Sequence, residues 1–174
     1  RHALRITRVE RTPLHGGSLR IFVRHDTHAA DETVAVLRAQ EDELGVGSLD
    51  YCQNFTAQAA AIRETLREQI TILKDEGKTL AAYGAAAKGS TLLNFCGINA
   101  TDLAFVADRS PHKQGKLMPG AHVPIVPAEE LAQRAPDVTL LLAWNFSDEI
   151  LAQQQTYRNA GGQFLIPIPD VRLV

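Results

Sequence analysis

Five short apolar runs, TLAAYG, LAFVAD, VPIV, VTLLLAW and FLIPI, fill the chain beyond Gly77 and constrain its fold more than any other feature. VTLLLAW is apolar almost without interruption, as in a strand covered on both faces. Helical patterns lie between the runs: residues 87–96, the segment PAEELAQRA with Pro127 in its first turn, and residues 146–160. The last of these has Asn145 at its N-cap position, acids in its first turn and Gly161-Gly162 at its end. Strands that alternate with helices predict an α/β fold, a Rossmann-like parallel sheet with flanking helices and right-handed crossovers over residues 77–174.

Upstream the patterning is different. Residues 4–24 read as two strands around PLHGG, with Leu19, Ile21 and Val23 alternating against Arg20, Phe22 and Arg24. Two strands alone are marginally stable in water, so residues 1–30 are expected to pair with a sheet that precedes them. Residues 31–76 read as a helical connector. Val34, Leu37 and Leu44 mark a first helix, and Phe55, Ala59, Ile62, Leu66, Ile70 and Leu73 form one stripe of a second. The chain opens on RHALRITRVE, without an initiator methionine and already in a strand pattern, which is expected of a fragment of a longer protein.

Charge excludes some function classes. Eighteen Lys and Arg stand against 20 Asp and Glu, for a net charge of −2, and the basic residues are scattered, so no nucleic-acid face is expected. No apolar run reaches the length of a membrane span, and the N-terminal segment lacks the apolar centre of a signal peptide. Cys52 and Cys96 fit no metal-ligand spacing and read as buried reduced thiols of a cytoplasmic protein. No metal site is expected.

The segment YGAAAKGSTLLNFCGI, residues 83–98, carries the chemistry. A turn of small residues from strand to helix brings free backbone N–H groups and the positive end of a helix dipole to the carboxyl edge of the sheet. Phosphate suits such a place. Gly84, Ala85 and Gly89 permit close approach, Lys88 adds a point charge, and Ser90, Thr91 and Asn94 add polar groups. The loop is neither of two familiar phosphate loops: Lys88 precedes Gly89 instead of following it, and Ala86 stands where GxGxxG needs its second glycine. Asp108, at the end of LAFVAD, stands where such folds place an acid that bonds a ribose hydroxyl; the alternative is an ordinary turn aspartate. Small residues also serve close helix-sheet packing, so both explanations of the loop stay open.

LHGGSLRIFV, YGAAAKGSTLLNFCGI, ADRSPHKQGKLMPGAHVPIV, LLAWNFSDEI and GGQFLIPIP, in that order and at these spacings, resemble the C-terminal part of the sugar C-methyltransferase family. The resemblance implies an enzyme that methylates a carbon of a nucleotide-linked 4-keto-deoxysugar with S-adenosylmethionine. It also implies a zinc-binding domain and a methyltransferase domain ahead of the present residues, with the hairpin of residues 4–24 as the last strands of the methyltransferase sheet. Neither a zinc cluster nor a glycine-rich cofactor loop occurs early in this chain, so no S-adenosylmethionine and no catalytic residue is expected here. The implied partners are a nucleotide sugar, of the dTDP class, and the upstream methyltransferase domain; the uncovered edge of the hairpin offers, as an alternative, a place for a second copy of the chain.

Further candidates follow. His15 in LHGG faces the active site or is a turn histidine; Lys113 and His112 meet a phosphate or only water; Arg20 pairs with a phosphate or stays an exposed strand residue. Trp144 and Asn145 close the central strand VTLLLA, where ligands of open parallel sheets collect, although core packing and helix capping explain them equally. The rival expectation from another class is a non-catalytic Rossmann-like module that binds NAD or coenzyme A.

Overall fold

The computed structural model describes residues 2–14 and 17–174; His15 lies outside the described residues. The chain divides into two compact units, Arg1–Gln58 and Ala59–Val174.

In the first unit β1 (Leu4–Thr12) and β2 (Ser18–His25) pair antiparallel, with the register shifted between Ile6 and Arg8. α1 (Glu32–Glu43) is opened by Asp31, whose carboxylate accepts the Thr33 N–H at 3.0 Å. Thr33 Oγ1 then accepts the Val9 N–H at 2.9 Å, which ties the helix start to β1. Leu19, Ile21 and Val23 share one face of β2 with Ile6 opposite Val23, and all four are exposed. α1 has no buried residue, so its expected apolar stripe is only half covered, and Leu44 is exposed.

α2 (Leu49–Asp75) is longer than its apolar stripe suggests, and only Leu66, Ile70 and Leu73 of that stripe are buried. Phe55 is 70% exposed, whereas Leu66, Ile70 and Leu73 pack in the core of the second unit. Cys52, on the same early turns, is exposed; Cys96 is buried as expected.

The second unit is built on a six-stranded sheet in the order β5-β4-β3-β6-β7-β8, where β3 is Leu80–Tyr83, β4 Val106–Asp108, β5 Ile125–Pro127, β6 Val138–Leu141, β7 Gln163–Ile166 and β8 Arg172–Leu173. The first five run parallel, and β8 adds antiparallel to β7. Every residue of β3 and β6 is buried, which is why those runs are apolar apart from Thr139, whose hydroxyl bonds the Tyr157 hydroxyl at 2.9 Å. Leu80, Ala82 and Leu140 pack on Leu66, Ile70 and α3 (Ala87–Cys96). Ala81, Tyr83 and Leu141 point the other way, toward α4 (Glu130–Arg134), α5 (Ser147–Gln153) and α6 (Gln155–Asn159).

Three expectations need correction. Pro127 ends β5 instead of opening a helix; β5 lies at the sheet edge, where a residue without an N–H is tolerated, and α4 starts at Glu130. The single helix expected over 146–160 is broken into a 3₁₀ turn, Trp144–Phe146, then α5 and α6, with Gln154 between them donating its amide to the Tyr83 hydroxyl. Asn145 sits inside the 3₁₀ turn and caps no helix. Among the described residues no helix is long and apolar enough to cross a membrane.

Candidate functional site

The strand order places neighbours of opposite connectivity side by side at β3 and β6, and the site forms where their carboxyl ends meet. Gly84 follows β3 with φ of 90°, in the left-handed region, and a Cβ there would lie 2.8 Å from the Ala143 Cβ. Only glycine lets the two strand ends approach this closely. The Ala86 N–H turns back to the Gly84 carbonyl at 2.7 Å, and α3 starts at the next residue. Ala86, its N-cap, has no side chain to cover the first turn, so the N–H groups of Ala87, Lys88 and Gly89 lack intrahelical partners at the sheet edge.

Lys88 reaches toward the end of β6. Its ammonium donates to Asn145 Oδ1 and sits 4.3 Å from the centre of the Trp144 ring. Among the described residues no carboxylate stands within ion-pair distance of it, and burial lowers its pKa from the ordinary lysine value.

Asp108, at the end of β4, is 8% exposed. Its Oδ2 accepts the Ala85 N–H at 2.6 Å and stands 3.6 Å from the Lys113 ammonium, while its Oδ1 accepts the Ser110 N–H at 2.8 Å. The carboxylate therefore fixes the Gly84–Ala86 turn against the segment after β4.

The remaining polar candidates are engaged within the fold. Ser90 Oγ donates to the Pro119 carbonyl at 3.1 Å, and the Asn94 amide donates to the same carbonyl at 2.9 Å, so the two clamp the segment after β4 onto α3. Thr91 bonds back to the Ala87 carbonyl at 3.4 Å on the exposed side of its helix. Gly89 is buried, and a Cβ there would come 2.7 Å from the Leu142 Cβ, so its smallness serves helix-sheet packing.

Two clefts of about 270 Å³ each flank the loop. One is lined by Ala85, Ala86, Ser90, His112, Lys113 and Lys116. The other lies between Gly84, Arg109 and the α5 residues Glu149 and Gln153, beside Phe146.

Residues 13–169 match the C-methyltransferase C-terminal domain family. The chain belongs to this family. The chain is also similar to the C-methyltransferase NovU of Streptomyces niveus, with 35% identity over 175 residues. That match takes in 99% of this chain and 42% of NovU, so the chain spans about two-fifths of the length of that relative.

In this C-methyltransferase C-terminal domain, Gly84, Ala85, Lys88, Asp108, Lys113, Trp144 and Asn145 converge at one edge, whereas Thr91 and Asn94 lie further along α3. Sequence reasoning missed Arg109, Lys116, Phe146 and Gln153. Lys116 follows Lys113 by three residues in an exposed loop, and Phe146 and Gln153 sit seven apart on a segment read as an ordinary amphipathic helix, so only proximity to the β3 loop singles them out.

Proposed function

We propose that the unit 59–174 is a Rossmann-like module that holds the diphosphate of a nucleotide-linked sugar, as the C-terminal part of an S-adenosylmethionine-dependent sugar C-methyltransferase. The observation that carries this is Lys88: a half-buried ammonium with, among the described residues, no carboxylate beside it, at the open N-terminus of α3. A desolvated cation held by an amide oxygen and a ring face favours an incoming anion. Backbone N–H groups of the first turn add directed hydrogen bonds. The family match speaks for this function over an NAD or coenzyme A module.

The edge does not fit S-adenosylmethionine. Its cationic sulfonium would meet Lys88, Arg109 and Lys113. The methyl transfer belongs to a preceding domain, where proton removal beside the sugar keto group generates the enolate that attacks the methyl group. What the present residues do is bind and orient: Lys88 and the α3 N-terminus hold the diphosphate, Asp108 keeps the turn in shape, and the sugar extends past Trp144 and Asn145. The hairpin β1-β2 serves as the last strands of that preceding domain's sheet.

Titration of dTDP and of thymidine against the wild type and Lys88→Met, followed by the fluorescence of Trp144, the single tryptophan, tests the proposal. Loss of the charge should weaken dTDP roughly ten- to a hundredfold and hardly affect thymidine. Equal dTDP affinity in both proteins would mean the loop is a packing feature.

A further inference from the structure

We infer that the cleft beside Gly84 on the α5 side is the seat of the nucleobase, gripped between Phe146 and Arg109 and met at its edge by the Gln153 amide. The inference deepens the diphosphate proposal and rests on it. A nucleobase has two apolar faces and a polar rim, and it stacks on aromatic rings or on the guanidinium plane of arginine. The cleft offers this combination: Ala143 and Ile150 supply apolar surface, while Phe146 and Arg109 supply a ring and a guanidinium.

The rim is also prepared. Gln153 Nε2 donates to Glu149 Oε1 at 2.7 Å across one turn of α5, which holds the amide and leaves its carbonyl oxygen and second N–H for another partner. A base edge with a donor beside an acceptor complements that pair. Gly84 opens the phosphate turn and also lines this cleft, so a base here and a diphosphate at the start of α3 are neighbours within one nucleotide.

Asp108 does not compete for the nucleoside, because both of its oxygens already accept backbone N–H groups and the residue is buried. The cleft on the other side of the loop is rimmed by His112, Lys113 and Lys116 and lined by no carboxylate, which suits anionic charge better than a ring. The nucleotide therefore lies with its base toward α5 and its charged centre over α3.

Photolabelling of the 174-residue chain with 4-thiothymidine diphosphate, in the presence and absence of dTDP, reads the position directly. Label that dTDP competes away should map to Arg109 or to residues 146–153. Competed label on residues 112–119 would overturn the inference. Affinity gives a second readout: Gln153→Ala and Phe146→Leu, both at exposed positions, should weaken dTDP about tenfold and leave inorganic pyrophosphate unchanged. Unchanged dTDP binding in both variants, with Lys88→Met still impaired, would remove the base from this cleft while the diphosphate site stands. Absence of both dTDP and pyrophosphate binding by the wild type would instead remove the diphosphate site, and the base seat with it.

Discussion

The Lys88 ammonium lies 4.3 Å from the centre of the Trp144 ring, although the two residues come from opposite sides of the strand-order reversal. This contact ties the start of α3 to the end of β6 and keeps the lysine extended over the sheet edge. It also removes water from the ammonium, which is why its pKa lies below the ordinary lysine value.

That lowered pKa gives dTDP binding a pH dependence. The anion needs the protonated lysine, so affinity should fall as pH rises through the Lys88 pKa, and at a lower pH than an ordinary lysine would produce. Lys88→Arg should hold its affinity further into the alkaline range, since guanidinium stays charged. Calorimetric titration of dTDP across the alkaline range compares the two; identical profiles would show that Lys88 does not carry the charge that matters.

Gly84 and Gly89 tolerate no side chain, for different reasons. At Gly84 a methyl group meets the Ala143 Cβ at 2.8 Å in a left-handed backbone, and Gly84→Ala should cost about 1–3 kcal/mol from the backbone alone. At Gly89 the backbone is ordinary helix and the obstacle is Leu142, so Gly89→Ala should cost roughly 1–3 kcal/mol, and the double change Gly89→Ala with Leu142→Ala should recover part of it. Urea denaturation measures all three. No recovery in the double variant would show that the overpacking lies elsewhere.

The parts of the fold legible in the sequence are those where one strand or helix is decided by its own residues. β3 and β6 are buried on both faces and their runs are apolar apart from Thr139, so the alternation of strand and helix was readable. β8 was not, because its two exposed residues, Arg172 and Leu173, are placed by their pairing with β7. Phe55 lies on the same stripe as Leu66, and periodicity reveals a face without revealing how far the core extends along it. At the site, the small residues around Lys88 pointed to the tight turn that joins β3 to α3. Asn145 was read as a cap because the spacing to the following helix allowed it, whereas its Oδ1 accepts from Lys88, 57 residues away. The Phe146 and Gln153 cleft exists only because β3 and β4 end beneath α5.

The hairpin β1-β2 should exchange its amide hydrogens well before β3 and β6. Leu4, Ile6, Leu19, Ile21 and Val23 are all exposed, so little buried apolar area opposes its opening, while β3 and β6 are buried strands at the centre of a sheet. Hydrogen exchange resolved by peptide distinguishes these. Protection of the hairpin equal to that of β6 in a chain shown to be monomeric would contradict the expectation, and protection that rises with protein concentration would show a second copy covering the apolar face.

Asp102 gives the fold an acid limit. It is 9% exposed, between Arg67 at 2.8 Å and Lys74 at 3.0 Å, and it ties α2 to the turn that follows α3. Burial pushes its carboxyl pKa up, but the hydrogen bonds from Lys74 and Arg67 and from the Asn99 N–H outweigh that and hold it below the usual carboxylate range. A carboxyl whose folded pKa lies below its unfolded pKa binds fewer protons folded than unfolded, so its contribution is complete above the unfolded value. It is lost as pH falls from there through the folded value. Since Arg67 and Lys74 are themselves more than a third exposed, solvent screens the pair and Asp102→Asn should cost only about 1–3 kcal/mol at neutral pH. The same change should leave stability in strong acid nearly unaltered, because the wild-type carboxyl is protonated there as well. Urea midpoints measured from neutral pH down into the acid range decide it: the difference between the two proteins should shrink as pH falls, and a difference that stays constant would mean that Asp102 acts by packing and not by its charge.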